Sequence, residues 1–418
     1  MKKYSNITLI LTFILALTLF LGSSVSYAQS LDDYFKIAAS DNPGLQAMYK
    51  EYEAAMQVVP QVNTLPDPQF SFGYFMDPEA SGSGAKKTRF ALSQMFPWFG
   101  TLKAQGNTAA IMAEARFQAF IDARNTLYLQ IASAYYPLFE IKRLQAIEKE
   151  NIEILKSYKA IATKKFENGA GSMVDVLRVD IRQKDAITNL GILNAKEKPS
   201  LTTFNKLLNR DVNEPVSVSD SLVMEPLPAA TSKDSLSLIR ENPGLKELDL
   251  KLKAGRASEQ AAYKNGLPTF GVGLAYEYAL EDDGMDEIMA EVSVSIPIFR
   301  AKYRGAVKEA QLMQKSYSLQ KEELANTLTS NYEMAWFELE QQRQMLALYE
   351  QQIRTTRHAL DLLFSAYSNS GNGFEELLDM RQELLSYDRM KATAEVQYQI
   401  SMAKLKVLAG RTDAHEKQ

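Results

Sequence analysis

The sequence predicts a mixed, mainly α fold with a small β part of membrane-crossing length, built from one unit present twice. Three observations carry this. Two stretches, Thr269 to Tyr278 and Ile288 to Ile296, alternate apolar and polar residues over the length at which a tilted strand crosses a bilayer. Two runs of about 67 residues are nearly free of Pro and Gly and carry apolar residues at helical spacing. The order of elements in the first half then returns in the second at an offset of 200 residues.

In order along the chain, residues 1–28 have the pattern of an export signal. Lys2 and Lys3 open it, Ile7 to Leu21 form an apolar core, and Ser26-Tyr27-Ala28 is a small-residue cleavage site. An uncleaved anchor is the other reading, but the apolar run is about 15 residues, short of the roughly 20 a spanning helix needs. No other stretch is long and apolar enough to span as a helix, so a second crossing has to use strands.

The first repeat, 29–230, begins with a helical pattern from Ser30 to Gln61, interrupted by Asn42-Pro43-Gly44-Leu45. A strand pair follows at about 68–76 and 88–96, joined by a Gly/Ser-rich loop. Phe70, Phe72, Tyr74 and Met76 share one side of the first strand; Phe90, Leu92 and Phe96 share one side of the second. A long helix spans about 100–166, with Leu127, Ile131, Ala134, Leu138 and Ile141 at coiled-coil-like spacing and Pro137 as a candidate kink. The turn Asn168 to Ser172 leads to a helix over about 173–208 with Val176, Val179, Ala186, Leu190 and Leu193 on one stripe, then a Pro/Ser/Asp-rich connector.

The second repeat, 231–418, restates this order. Asn242-Pro243-Gly244-Leu245 repeats Asn42-Pro43-Gly44-Leu45. The strand pair lies at about 269–278 and 288–296, the long helix at about 301–367, the turn at Asn369 to Gly373, and the last helix at about 374–409 before a polar tail. Phe270, Val272, Leu274, Tyr276 and Tyr278 point one way, with Gly271, Gly273, Ala275 and Glu277 opposite. Tyr74, Phe75, Tyr276 and Tyr278 lie near the loop ends of their strands, where an aromatic girdle is expected. Lipid-facing bulk without an anchoring role is the other reading.

Composition narrows the function. The chain has no cysteine, which excludes disulfides, cysteine-ligated metals and a cysteine-linked lipid. Residues 1–28 contain two lysines and no acid, so removing them takes the formal charge from −4 to −6. Such a chain is a poor nucleic-acid binder. His358 and His415 stand apart, and no His/Cys/Glu spacing suits a metal. The 16 methionines are scattered and read as core filling. No catalytic constellation is present, so no cofactor and no enzyme activity are expected.

Four strands cannot close a barrel, since the smallest membrane barrels have about eight. An open sheet in lipid leaves unpaired backbone groups at several kcal/mol each. Several copies therefore have to share one barrel. A trimer gives twelve strands, and the long helices attached to one end of them continue as a hollow helical cylinder of the same symmetry.

The residues that carry a family resemblance are the Asn-Pro-Gly-Leu of each half and the Ser295-Ile296-Pro297-Ile298-Phe299 entry into the long helix. To these are added Phe166 through Ser172 to Asp175-Val176-Leu177, and Tyr367 through Gly373 to Glu376-Leu377-Leu378. In order and spacing the chain resembles the TolC family of outer-membrane efflux proteins over essentially its whole mature length. The resemblance implies a homotrimer with a twelve-strand outer-membrane barrel and a long α-helical periplasmic barrel. It also implies a periplasmic adaptor (membrane fusion) protein and an inner-membrane pump of the resistance-nodulation-division type as partners, and outer-membrane lipid around the barrel. The chain is then a passive exit duct of a tripartite efflux system. The outlet of a type I protein-secretion system and a periplasmic coiled-coil scaffold are the alternatives. Ser93 to Gly100 is similar to the heavy-metal efflux branch, CusC- and CzcC-like, although many CusC-like members carry a lipidated cysteine that this chain lacks.

The resemblance also points to the two turns. In TolC-like proteins they form the periplasmic tip, where the tunnel narrows and the adaptor docks. Gly169, Gly171, Ser172, Ser370, Gly371, Asn372 and Gly373 are the matching turn residues, and Asp175, Glu376 and Asp379 match the acids of the gate. Glu376 and Asp379 are three apart, on one helical face, and in a trimer would ring the opening with carboxylates that favour cations. Ordinary solvated acids at a helix N-terminus are the plainer reading. In the family's namesake an arginine of the second turn pairs with the first-turn acid; here Asn372 stands in its place.

Overall fold

The structure is a computed structural model that describes residues 30–76, 86–218, 221–227, 239–279, 285–370 and 373–410. The expected signal segment, most of the two strand connections, part of the connector between repeats, and the turn residues Gly371 and Asn372 lie outside the described residues.

The elements are α1 (Leu31–Asp41), α2 (Pro43–Asn63), β1 (Gln69–Tyr74), β2 (Lys86–Phe96), α3 (Thr101–Glu167), α4 (Met173–Leu207), α5 (Pro243–Asn265), β3 (Thr269–Ala279), β4 (Glu287–Ser295), α6 (Ala301–Ser370) and α7 (Phe374–Leu408). The two Asn-Pro-Gly-Leu segments are helix starts. Asn42 accepts from the Leu45 amide at 3.0 Å, and Asn242 accepts from the Gly244 amide at 2.9 Å, each with proline at the first helical position.

One expectation needs correcting. The long second helix continues to Ser370, so Asn369 and Ser370 are helical rather than part of the turn. Asn and Ser do not break a helix; the next described residue, Gly373, has φ +82° and marks the reversal. Pro137 lies within α3, which is helical on both sides of it. Tyr135, Leu138 and Phe139 are buried around it, and their packing offsets the lost backbone hydrogen bond.

The chain divides into two compact units, and the division falls inside α3, α6 and α7. One unit comprises Asn42–Leu129, Leu227–Leu339 and Ser401–Gln418. It holds an antiparallel sheet of order β1-β2-β3-β4, so the two hairpins join through β2 and β3 and leave β1 and β4 as edges. Register aligns the apolar side chains in rows: Phe72, Phe90, Tyr276 and Ile288, then Phe70, Leu92, Leu274 and Ala290. This face is bare. Phe70 is 68% exposed, Leu274 62% and Val292 79%. Gln94 lies in the same face beside Val272, with its amide donating to the Pro66 carbonyl at 2.7 Å, so its polar group is satisfied. The opposite face carries Ser71, Ala91, Ala275 and Met289 in one row and Gly73, Arg89, Glu277 and Glu287 in another. Arg89 pairs with Glu277 at 3.8 Å and also with Glu291, tying β2, β3 and β4 together. Beside the sheet, α2 packs on α3 through Tyr52 and Phe117 at 5.1 Å, and α5 packs on α6 through Gln314 and the Gly255 carbonyl.

The other unit comprises Met1–Asp41, Gln130–Pro226 and Glu340–Ile400. Its helices bury Leu155, Tyr158, Val179, Leu360, Leu377 and Leu384 in one cluster, and Val179 lies on the stripe expected for α4. Tyr34 of α1 is fully buried against Tyr135 and Phe204, and its hydroxyl accepts from the Ser217 amide at 2.8 Å. Glu148 of α3, 1% exposed, pairs with Arg389 of α7.

Candidate functional site

The first turn is built by its backbone. Gly169 has φ +71°, its amide donates to the Phe166 carbonyl at 3.0 Å, and the Ala170 amide reaches back to the Lys165 carbonyl at 2.8 Å. This is the paired hydrogen-bond pattern that closes a helix over a left-handed residue. A Cβ at Gly171 would lie 2.9 Å from that of Lys165, so the turn is tight as well as left-handed. Ser172 caps α4 by accepting from the Val174 amide at 3.1 Å.

The ends of α6 and α7 meet this turn. Tyr367 is buried and packs on Phe374 with ring centroids 4.5 Å apart. Lys165 lies 5.0 Å from the Tyr367 ring centroid and donates to the Ser368 carbonyl at 3.3 Å. Burial, and secondarily the Asp175 carboxylate, push the Tyr367 hydroxyl above its ordinary range.

The acids predicted for the gate fall into different surroundings. Asp379 lies 3.9 Å from Arg182. Glu375, which the spacing argument passed over, pairs with Arg178 at 2.7 Å. Arg178 and Arg182 are four apart on α4, Glu375 and Asp379 four apart on α7, so the two helices face each other with two parallel ion pairs. Glu376 is exposed, and no ion pair among the described residues includes it. Asp175 is half-buried on α4. One turn further along α4, Asp180 is held down to about 2 by hydrogen bonds from Lys159 and Lys184. Its pKa lies below the ordinary carboxylate range, so this tie is complete above that range and is lost only as pH falls through about 2.

Asn372, Gly371 and the Ser370 side chain lie outside the described residues. The arginines were missed because a basic pair at spacing four reads as a solvated face until the facing helix is known. The signal that could have found them was the matched acidic pair at spacing four on α7. Among the described residues no group of three or more His, Cys, Asp or Glu is placed to hold a metal. Among the same residues, no helix is long and apolar enough to cross a membrane.

A family model described as "Outer membrane efflux protein" matches residues 236–411, most of the second repeat. Outer membrane protein TolC of Escherichia coli (strain K12) is 22% identical over 438 residues, covering 96% of this chain and 86% of TolC. The chain is similar to TolC along nearly its whole length, and its second repeat matches the outer-membrane efflux family model. TolC of Salmonella enteritidis is 21% identical over 435 residues, with the same coverage of both chains. The TolC-family fold is also the one found in solved channels. OprN aligns with a TM-score of 0.75 at 19% identity over 91% of this chain and 90% of its own. CusC aligns at 0.76 and 15% identity over 91% and 92%. The open state of Neisseria gonorrhoeae MtrE aligns at 0.74 and 18% over 91% and 89%.

Proposed function

We propose that this chain is the outer-membrane exit duct of a tripartite efflux system, working as a homotrimer. Three sheets close into one twelve-strand barrel, and the long helices continue it as a tunnel into the periplasm. A periplasmic adaptor docks at the interhelical turns, and an inner-membrane pump of the resistance-nodulation-division type supplies the energy.

The observation that carries this reading is the sheet. One face is apolar and bare over all four strands. The other is mostly small or charged, and β1 and β4 offer open edges. In water the bare face is an aggregation hazard. In hydrocarbon the edges cost several kcal/mol per unpaired group. Only sharing a barrel with further copies satisfies both, and the Arg89, Glu277 and Glu291 face then lines the bore.

At the turns, the reading assigns closure to the two Arg–carboxylate pairs between α4 and α7, which stand in for the arginine that Asn372 replaces. Each exposed pair is worth about 0.2–1 kcal/mol, and three chains supply two each. The Arg178→Ala/Arg182→Ala variant is expected to conduct more than the parent in planar-bilayer recordings, and the gain is expected to shrink at high salt, where the parent's pairs are screened. Equal conductance at low salt removes these pairs from the closure.

Glu376 and Asp379 are assigned to a cation-favouring ring at the same opening. Glu376→Ala/Asp379→Ala is expected to lower the cation-to-anion permeability ratio measured by reversal potential. An unchanged ratio removes the ring. The duct reading itself is tested by reconstitution: the purified protein is expected to insert and conduct, and a protein that stays out of lipid contradicts it.

A further inference from the structure

The apolar face of the sheet does not stop where the strands end. Trp98, just past β2, lies 5.6 Å from Phe270 of β3, ring to ring, and Phe99 follows at 6.2 Å from Trp98. Phe99 is 82% exposed. The second repeat does the same. Ile296 continues the outward alternation of β4, and Phe299, the counterpart of Phe99, is 86% exposed. Two independent strand-to-helix elbows thus present a bare phenylalanine next to the apolar face.

Charge changes at the same level. Residues 97–104 and 297–304 contain Lys103, Arg300, Lys302 and Arg304 and no acid. The connections at the other ends of the strands, 75–85 and 280–286, contain six acids and no base. The first turns of α3 and α6 hold no acid, although the helix dipole favours acids there and disfavours bases. Helix stability therefore does not account for Lys103, Lys302 and Arg304, which are exposed. Arg300 and Lys264 are used within the fold: Arg300 donates to the Gly266 carbonyl at 2.9 Å, and Lys264 to the Phe99 carbonyl at 3.2 Å.

We propose that the two elbows form a binding surface for phospholipids with anionic headgroups. Phe99 and Phe299 enter the apolar side of the interface, and Lys103, Lys302 and Arg304 take the phosphates. The proposal rests on the reading that the bare face of the sheet lies in a bilayer. Continuity with that face and the sign of the elbow charge together select an anionic lipid surface over an acidic protein.

The full-length protein is reconstituted in phosphatidylcholine vesicles with phosphatidylglycerol as the minor component. It is then extracted in mild detergent, and the lipid it carries is measured by mass spectrometry. The expected result is phosphatidylglycerol enriched over the starting ratio, with the enrichment falling at high salt. One basic residue near such a surface is worth about fivefold in partition, so Lys103→Gln/Lys302→Gln/Arg304→Gln is expected to carry the starting ratio. The conservative Lys103→Arg/Lys302→Arg variant is expected to keep the enrichment. A starting ratio on the parent, or undiminished enrichment on the glutamine variant, overturns the proposal. Conductance of the same vesicles separates the two readings. Conducting protein without enrichment removes the lipid surface alone, while protein that neither inserts nor conducts removes the duct and this proposal with it.

Discussion

Leu274→Arg is expected to keep the protein out of the outer membrane. Leu274 lies near the middle of β3, 62% exposed, in the apolar row with Phe70, Leu92 and Ala290. An arginine on the lipid face at the bilayer midplane costs about 2–4 kcal/mol. In a trimer the cost falls on every copy at once. The expected result is loss of the variant from the outer-membrane fraction, with the protein recovered as periplasmic or degraded material. The matched control is Ser71→Arg, on the polar face of β1 in the row of Ala275 and Met289. It is expected to fractionate like the parent. Equal fractionation of Leu274→Arg contradicts the assignment of the bare face to lipid.

Arg389→Ala is expected to have the largest effect on stability. Glu148 is 1% exposed, one of its carboxylate oxygens accepts from Arg389, and the other is buried with no partner among the described residues. Removing the arginine leaves a buried carboxylate uncompensated, which costs about 3–5 kcal/mol. Replacing both partners by apolar residues of similar volume, Glu148→Leu/Arg389→Met, removes the buried charge along with its partner and is expected to recover most of that loss. Denaturant midpoints of the three proteins in detergent check this. A single variant as stable as the parent, or a double variant no better than the single, contradicts it.

These two sites differ in how far they were legible in the sequence. The face holding Leu274 was readable because a strand has a period of two and needs no partner to reveal its sides. The repeat was readable for a similar reason: Asn42-Pro43 and Asn242-Pro243 are local caps, and both cap helices. Element ends fell close to the expected positions wherever Gly or Pro closed them. They drifted at Asn369 and Ser370, which do not break a helix. Partners were not legible. That β2 pairs with β3 across the two repeats, that Glu148 meets Arg389, and that Arg178 and Arg182 face Glu375 and Asp379 all depend on segments about 180–240 residues apart being brought together. Helical spacing says which residues share a stripe, not what the stripe faces. For the gate acids, spacing grouped Glu376 with Asp379; the fold gives Asp379 an arginine and leaves Glu376 exposed.

One chain carries too little sheet to face hydrocarbon alone, and the proposed working channel is three chains around one bore. Native mass spectrometry of the detergent-purified, conducting protein counts the protomers directly. Three protomers, with no stable smaller species, is the predicted result. A conducting species of one or two protomers would contradict the account.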